Sequence, residues 1–401
     1  MEKLQKKEHL LFYKLIYTAG IMVAFLVGKS LPLHGVDMSV YAEQGMNAEL
    51  LLRQTISGDV YQCTLFALGI SPYMISSILV QILSAFRGSE ARARISPKKT
   101  NRQMITLTFI FAALLAFSRA QELPFVEQGL PVIAMKAIAI IEMVTGAMMI
   151  LWLTARNKKY GVGGQTALIF LNIVDGMVNT AKGHGLKELA IPLLISFMAV
   201  TVMFILENTE KRIPVQRISI HNIYADKNYL AIKMNPIGVM PAMFSMAFFM
   251  LPQLVVSMLL MVLPTQAELL WLQENIVLTK PVGILVYVGI LYLLTVGFSR
   301  VFINPKEMTE QFLKSGDSIQ NVHAGKDTKR YLSGTITGLA IFSATMMSIC
   351  LGFPLLLQMM GNINESLAAL PTSVMMLVGV ICNLGREIMA VKHLEAYKPF
   401  I

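Results

Sequence analysis

The sequence predicts an all-α polytopic membrane protein with ten transmembrane helices in two inverted five-helix halves. Three observations lead to this fold class. Of the 401 residues, 55% are apolar and only 14% are charged, whereas soluble proteins carry about 25% charged residues. Ten stretches are apolar enough to cross a bilayer, and lysine and arginine are concentrated in alternate connecting segments.

Composition also excludes several functional classes. The formal net charge is +10, but the low charge density argues against a surface that binds nucleic acid. High apolarity excludes an intrinsically disordered chain. The three cysteines, Cys63, Cys350 and Cys382, form neither a disulfide framework nor a metal-binding pair by their spacing.

A membrane-spanning helix needs about 20 mostly apolar residues. Such runs predict spans at 11–31, 68–86, 104–118, 133–153, 164–179, 187–206, 237–263, 282–303, 332–357 and 367–384, of which the third and fifth are short. The first run follows three lysines, as in a signal peptide. It is too long for one and no clear cleavage site follows it, so we expect a retained helix.

Basic residues set the predicted orientation, because cytoplasmic loops carry the excess of lysine and arginine. The two termini and the even-numbered loops hold 26 of these residues, and the opposite loops hold five. Lys14, Lys29 and Lys136 lie within spans near their ends, where we expect them to reach the membrane interface. Both termini are therefore predicted to be cytoplasmic.

Ten spans divide into an N-terminal half, 1–183, and a C-terminal half, 184–401. Because each half has an odd number of spans, the second enters the membrane with the opposite orientation, as in inverted-repeat proteins. The second span of each half is interrupted, which indicates a pathway or protein interface at membrane depth. The alternative is that proline merely kinks these helices. The interrupting residues are Gly69 and Pro72 in the second span and Pro236, Gly238 and Pro241 in the seventh.

The spans contain few carboxylates. Glu142 and Asp175 are the exceptions; we interpret Glu142 as a polar packing contact, with a proton site of a secondary transporter as the alternative. The remaining polar residues are more typical of a hydrated groove than of a binding site; they are Ser71, Ser76, Ser77, Gln81 and Asn172.

Short motifs in chain order resemble the SecY family of protein-conducting channels. They are TLFALGISPY at 64–73 with ILVQIL at 78–83, YGVGG at 160–164, RIPVQ at 212–216, KMNPIGVMP at 233–241, NP at 304–305, KSG at 314–316 and TKRYL at 328–332. They cover essentially the whole chain, which makes the resemblance specific.

One departure from the family pattern refines the resemblance. Where SecY proteins usually carry Gly-Ile-Arg-Pro-Gly, this chain has NVHAG at 321–325, so His323 replaces an arginine that engages the motor. Short loops and this change resemble the accessory SecY paralogue of Gram-positive bacteria. That resemblance implies export of large glycosylated serine-rich adhesins with an accessory SecA-type ATPase motor.

The resemblance implies an apolar pore ring, an external plug and a lateral gate. The plug would be 49–66, and the two interrupted spans would form the gate. Ring positions four residues apart lie on one helical face, and methionine would make the ring deformable. The alternative is ordinary apolar packing. The ring residues are Ile70, Met74, Ile78, Ile169, Ile173, Met243 and Met376.

Two cytoplasmic loops, 207–236 and 304–330, are predicted to be structured and to dock a motor or ribosome. Asn304 and Pro305 predict a helix start, Gly316 a helix end, and alternation within 214–234 a β-hairpin. Basic residues also accumulate in cytoplasmic loops merely because they set the orientation of the chain in the membrane. We interpret the basic residues of 87–102 in this way. The predicted docking residues are Arg212, Arg217, Lys227, Met308, Phe312, His323 and Lys326.

The sequence thus predicts a channel rather than an enzyme, since it has no nucleotide-binding loop, nucleophile elbow or metal-ligand spacing. We expect no cofactor and no nucleic acid. By resemblance the partners are a SecE-like small membrane subunit, the SecA-type motor, a secretory precursor and membrane lipids, in the bacterial cytoplasmic membrane. The alternatives are a housekeeping SecY channel and a five-plus-five secondary transporter.

Overall fold

The structure is a computed structural model that describes residues 10–36, 63–86, 96–125, 131–182, 184–216, 228–262, 266–361 and 363–396. The first five helices are α1 (Leu10–Ser30), α2 (Ser71–Phe86), α3 (Pro97–Glu122), α4 (Val132–Tyr160) and α5 (Gln165–Lys182). The others are α6 (Leu186–Asn208), α7 (Met240–Val262), α8 (Ala267–Asn275), α9 (Pro281–Phe302), α10 (Pro305–Ser315), α11 (Lys326–Met359), α12 (Glu365–Ala368) and α13 (Leu370–Ala396). The strands are β1 (Glu210–Gln216), β2 (Tyr229–Lys233) and β3 (Ser318–Ile319).

Each of the ten predicted spans coincides with a helix. Within the described ranges, eight helices are long and apolar enough to cross a membrane: α1, α3, α4, α6, α7, α9, α11 and α13. Helix α2 is apolar but has only 16 residues, and α5 carries Asp175 within its 18 residues. The chain is thus a multi-pass membrane protein, and the count of ten crossings stays a prediction.

Several helices are longer than their apolar runs. The third span, predicted at 104–118, belongs to the 26-residue helix α3, which starts at Pro97 with the Ser96 hydroxyl capping the backbone N–H of Lys98. Likewise α11 has 34 residues and begins at Lys326. The third span is short as an apolar run, but the helix that contains it is not short. Hydropathy detects only the apolar part of a helix and misses a polar first turn.

The two predicted interruptions lie at helix starts rather than inside helices. Helix α2 begins at Ser71 and α7 at Met240. Immediately before them, Gly69 and Gly238 have φ of +53° and +74°, a left-handed conformation that suits glycine. This corrects the expectation that the two spans are broken internally. In each case an irregular segment precedes the helix, and the helix begins where that segment ends.

The segment before α2 is held against α1 and α4. The N–H of Leu33 donates to the carbonyl of Cys63 at 2.8 Å, and the N–H of Leu65 donates to that of Leu31 at 2.9 Å. A Cβ on Gly146 of α4 would lie 1.9 Å from the Leu65 carbonyl oxygen, so only glycine permits this approach. These residues include the end of the predicted plug; the part at 49–62 lies outside the described residues.

A small three-stranded sheet with the order β2-β1-β3 lies beyond the end of α6. The predicted hairpin is confirmed in part: β1 and β2 pair antiparallel, with Pro214 opposite Tyr229. Residues 217–227, with the predicted turn, lie outside the described residues. The first strand starts earlier than expected, and β3 was not predicted because a two-residue strand leaves no periodic signal.

The sheet has its own apolar core, which also holds α10 and α11. This sheet-end cluster contains Ile213, Ile232, Ile319, Leu332 and Ile336. Helix α10 begins at Pro305 and is ended by Gly316 at φ +74°, as predicted, although the Asn304 side chain makes no capping hydrogen bond. The sheet and α10 therefore form one rigid projection at the end of the helical bundle.

Candidate functional site

The seven predicted ring residues all belong to the large buried cluster that forms the main core of the molecule. Ile70 and the helices α2, α5, α7 and α13 supply them, and every member is at most 3% exposed. Ile70 lies just before α2, and its carbonyl accepts the N–H of Met74 at 3.0 Å. Within α2 and α5 the four-residue spacing places Met74 above Ile78 and Ile169 above Ile173.

The chemistry of this cluster suits a closure that can open. Apolar side chains attract one another without directional bonds, so helices can part there without breaking hydrogen bonds. A narrow apolar constriction also excludes water and ions by dewetting. Met74, Met243 and Met376 are unbranched and flexible, which lets them fit around irregular shapes.

Polar groups beside the cluster differ in how they are satisfied. The Ser76 hydroxyl donates to the Pro72 carbonyl at 2.7 Å and that of Ser77 to the Met74 carbonyl at 2.9 Å, so both serve helix α2 itself. The side-chain amide of Asn172 and the hydroxyl of Ser71 are buried and have no protein partner. Buried polar atoms of this kind usually bind an ordered water.

The two predicted gate helices lie side by side. Leu79 of α2 and Leu251 and Leu254 of α7 pack against a second buried cluster, which contains Ile75 and Leu115. Their interface is apolar. If the two helices separated, another apolar helix could cover the exposed surfaces with little loss of buried area.

A buried ion pair near the start of α7 was missed by sequence reasoning. The Glu207 carboxylate at the end of α6 is fully buried, and Nη1 of Arg386 on α13 lies 2.9 Å from its Oε2. Nη2 of Arg386 donates to the Glu207 carbonyl at 2.7 Å. Burial and the Arg386 guanidinium lower the pKa of the neighbouring Lys233. Glu207 lies in a predicted loop and Arg386 in the predicted C-terminal segment, and nothing in the sequence pairs them.

The turn between α4 and α5 carries a second missed network. The Asn157 side-chain amide donates to the carbonyls of Val162 and Gly164 at 3.1 and 2.9 Å. The Thr18 hydroxyl of α1 donates to Asn157 Oδ1 at 2.9 Å. The glycine-rich motif at 160–164 is therefore a turn that fastens α1, α4 and α5 together.

Glu142 and Asp175, the two carboxylates noted within the spans, have local partners. Glu142 Oε2 accepts the backbone N–H of His34 at 3.0 Å, which agrees with its interpretation as a packing contact. Asp175 forms an ion pair with Lys29. Lys29 was expected to reach the interface, and the structure pairs it instead. Each carboxylate thus has a local contact of the kind that a structural role requires.

The five polar docking residues that the sequence predicts divide into three groups. Arg212 is on β1, where it pairs with Glu210 at 2.9 Å and its guanidinium lies 4.7 Å from the ring centre of Tyr229. His323 and Lys326 are exposed beside the start of α11. Arg217 and Lys227 lie outside the described residues.

Met308 and Phe312, which were also predicted to dock the motor, are half-buried. Both pack against the sheet-end cluster, to which α11 also contributes, so they hold α10 to that cluster. The apolar pair four residues apart thus faces inward, which leaves the polar face of α10 outward.

No group of three or more histidine, cysteine or carboxylate side chains in the described part of the chain could hold a metal ion.

Comparisons with known proteins agree with the predicted resemblance. The family model described as SecY matches residues 64–384. The accessory Sec system protein translocase subunit SecY2 of Leuconostoc gelidum subsp. gasicomitatum is 28% identical, covering 94% of this chain and 93% of that protein. The SecY2 of Streptococcus parasanguinis is 28% identical and is covered over the full length of both chains.

Solved structures show the same fold. The structure described as that of a protein conducting channel superposes with a TM-score of 0.67 at 16% identity, covering 96% of this chain and 93% of that one. Sec61 in the canine ribosome-channel complex superposes with a TM-score of 0.60 at 16% identity, covering 96% and 93%. Since the family model spans most of the residues, this chain belongs to the SecY family.

Proposed function

We propose that this chain is the channel subunit of an accessory protein translocase that exports unfolded polypeptides across the bacterial cytoplasmic membrane. One observation carries the proposal: seven apolar side chains from four helices and the turn before α2 are all buried in one apolar cluster, the main core of the molecule. Such a cluster can seal against ions at rest and spread when a chain enters.

In this proposal the two halves, 1–183 and 184–401, enclose the pore, and the ring residues form its constriction. The segment 49–66 closes the pore from outside. Helices α2 and α7 form the lateral gate, through which a signal helix passes into lipid. Their apolar packing at Leu79, Leu251 and Leu254 supports this, because an apolar signal helix can cover the surfaces that become exposed when the two helices part.

The sheet and α10 are the proposed docking platform for a SecA-type motor. This platform is rigid because the sheet-end cluster joins it to α11, and a rigid lever transmits force better than a flexible loop. Arg212, Arg217, Lys227, His323 and Lys326 are proposed to face the motor, with Met308 and Phe312 fixing the helix behind them. A SecE-like subunit is proposed to clamp the two halves, and both termini to lie in the cytoplasm.

The accessory type is favoured over a housekeeping channel by the names of the relatives in Leuconostoc and Streptococcus. The exchange at His323 supports it, because a histidine cannot reproduce the fixed charge and fork of an arginine. The proposed substrate class is the glycosylated serine-rich adhesins.

Deleting the gene in its host tests the proposal. We expect a serine-rich adhesin to accumulate inside the cell while other secreted proteins are exported normally, and expression of the intact chain to restore export. A general secretion defect would assign the chain to the housekeeping pathway. Unchanged export of every protein would contradict a channel function.

A further inference from the structure

Helix α8 lies at the end of the helical bundle opposite the sheet. Helix α7 begins just after β2, and α9 ends just before α10, so both helices run between the sheet and α8. With its 23 residues, α7 is about 34 Å long, enough to cross the roughly 30 Å of hydrocarbon in a bilayer. Because the sheet lies at one end of α7, α8 lies at the depth of the opposite membrane interface.

Helix α8 is fastened to both neighbouring helices. The side-chain amide of Gln253, on α7, donates to the carbonyl of Ile276, just after α8, at 2.9 Å. Ile276 is buried in the main core of the molecule, and Leu272 of α8 packs against that core. An added Cβ on Gly283, in the first turn of α9, would lie 1.9 Å from the Val277 carbonyl oxygen. The position of α8 is thus fixed relative to both α7 and α9.

The outward face of α8 carries two large apolar side chains. Leu270 and Trp271 are 45% and 55% exposed, whereas Leu272 packs inward. In water, two neighbouring side chains of this size would give up the gain of hydrophobic burial. Tryptophan is enriched at membrane interfaces, because its ring can lie among lipids while its N–H stays hydrated. This face of α8 therefore suits a lipid interface.

The apolar face of α8 continues a surface that faces lipid. Val255 and Leu259, one turn apart near the end of α7, are 52% and 42% exposed. Leu285, in the second turn of α9, is 74% exposed. Helices that are apolar on all sides are typical of membrane spans, where the outward side chains meet hydrocarbon. Since α8 contacts both α7 and α9, the bilayer that surrounds these two helices lies within reach of Leu270 and Trp271.

We propose that α8 is an interfacial anchor, which lies in the lipid headgroup region opposite the sheet with Leu270 and Trp271 inserted among the lipids. The charged residues of α8, Glu268 and Glu274, are both acidic, so buried apolar area and not headgroup charge holds it there. Because Gln253 joins the end of α8 to α7, the anchor fixes the depth of that end of α7 in the bilayer. The inference does not depend on the proposed function, because it concerns the place of α8 and not export.

Fluorescence quenching of Trp271 tests the proposal. The sequence contains two tryptophans, so the W152F variant of the full chain leaves Trp271 as its only one. The purified variant is placed in phosphatidylcholine nanodiscs, whose lipids carry bromine either close to the headgroup or close to the end of one acyl chain. Bromine quenches tryptophan on contact, and iodide in the buffer quenches tryptophan that is exposed to water. We expect the shallow bromine to cause a larger loss of Trp271 fluorescence than either the deep bromine or iodide.

Headgroup charge provides a second measurement on the same variant. Since α8 carries no basic residue, we expect the same quenching by the shallow bromine when part of the phosphatidylcholine is replaced by phosphatidylglycerol. Quenching that requires phosphatidylglycerol would overturn the proposal, because it would show that charge and not apolar insertion holds α8 at the membrane.

Two matched controls place a single tryptophan elsewhere, in a W152F/W271F background. Phe197→Trp, in the middle of α6 at a position that is 71% exposed, should be quenched most by the deep bromine. Tyr229→Trp, on β2 at a position that is 48% exposed, should be quenched by iodide and by neither lipid.

Three results for Trp271 would overturn the proposal. Quenching by iodide as strong as for Tyr229→Trp would place α8 in water. A depth profile equal to that of Phe197→Trp would place it in the hydrocarbon. Protection from iodide and from both brominated lipids would show that protein covers α8, either a second copy of the chain or the segment 37–62.

Discussion

The Arg386 guanidinium contacts both the side chain and the backbone of Glu207. Nη1 of Arg386 lies 2.9 Å from Oε2 of Glu207, and Nη2 donates to the Glu207 carbonyl oxygen at 2.7 Å. This fork joins the last helix, α13, to the end of α6. Gly238, just before α7, lies directly against the same carboxylate. The proposed gate helix α7 therefore starts on the joint between α6 and α13.

Arg386→Gln should destabilise the protein by about 3 kcal/mol, because it leaves the buried Glu207 carboxylate without its cation. This is the low end of the usual range, since the Arg386 side chain is 35% exposed. The midpoint of thermal unfolding in detergent measures the effect. Lys392→Gln, an exposed charge on the same helix, is the control, and an equal shift for both variants would contradict the role of the pair.

The double variant E207Q/R386Q provides a second check of the same pair. Removing both charges avoids an unpaired buried carboxylate, so the double variant should be more stable than R386Q alone. A double variant as unstable as R386Q would show that the backbone hydrogen bond, and not the charge, is what matters.

Gly238→Ala should destabilise the start of α7. At φ +74° an added Cβ would lie 2.9 Å from Glu207 Oε1, so strain and a close contact add together. Gly361 separates the two effects, because it has φ +75° and an added Cβ there would have no neighbour within 4 Å. We expect G361A to cost roughly 1 kcal/mol from the backbone alone and G238A clearly more; equal unfolding midpoints would refute the contact with Glu207.

The E142Q/D175N double variant should keep its export activity, because both carboxylates serve local contacts with His34 and Lys29. Export of the adhesin in the complemented deletion strain is the measurement. Loss of export with a normally folded double variant would support the secondary transporter and count against the channel.

Replacing Ile70 and Met243 together by serine should let water into the ring and raise the ion conductance of the resting channel. Ion leakage from vesicles containing the purified chain measures this. Leu285→Ser, at a position that is 74% exposed on α9, is the control and should not leak. A sealed double variant would mean that another part of the chain forms the barrier.

Much of the fold could be predicted because membrane helices are recognisable by their composition. All ten apolar runs became helices, but their lengths did not follow from hydropathy: the polar first turns of α3 and α11 are helical outside any apolar run. Irregular backbone at Gly69 and Gly238 could be predicted, because glycine and proline mark such backbone. The sequence did not show that these irregular segments precede helix starts, because that depends on tertiary packing.

The candidate site was predictable only in part. Local spacing places Met74 with Ile78 and Ile169 with Ile173, whereas bringing α2, α5, α7 and α13 together required the family resemblance. The pair of Glu207 and Arg386 is separated by 179 positions, and no local pattern joins residues so far apart. The packing of Met308 and Phe312 on the sheet-end cluster was not predicted, because that cluster joins strands and α11 residues that are distant in the sequence.

Crosslinking to a precursor arrested during export tests the central claim most directly. Photoreactive residues at Ile70, Ile173 and Met243 should each form adducts with the precursor, since these side chains come from separate segments yet share one buried cluster. Phe197 and Leu285, 71% and 74% exposed on the outer faces of α6 and α9, should form none. Export without adducts at the three ring positions, or equal adducts at the two controls, would contradict a pore at this site.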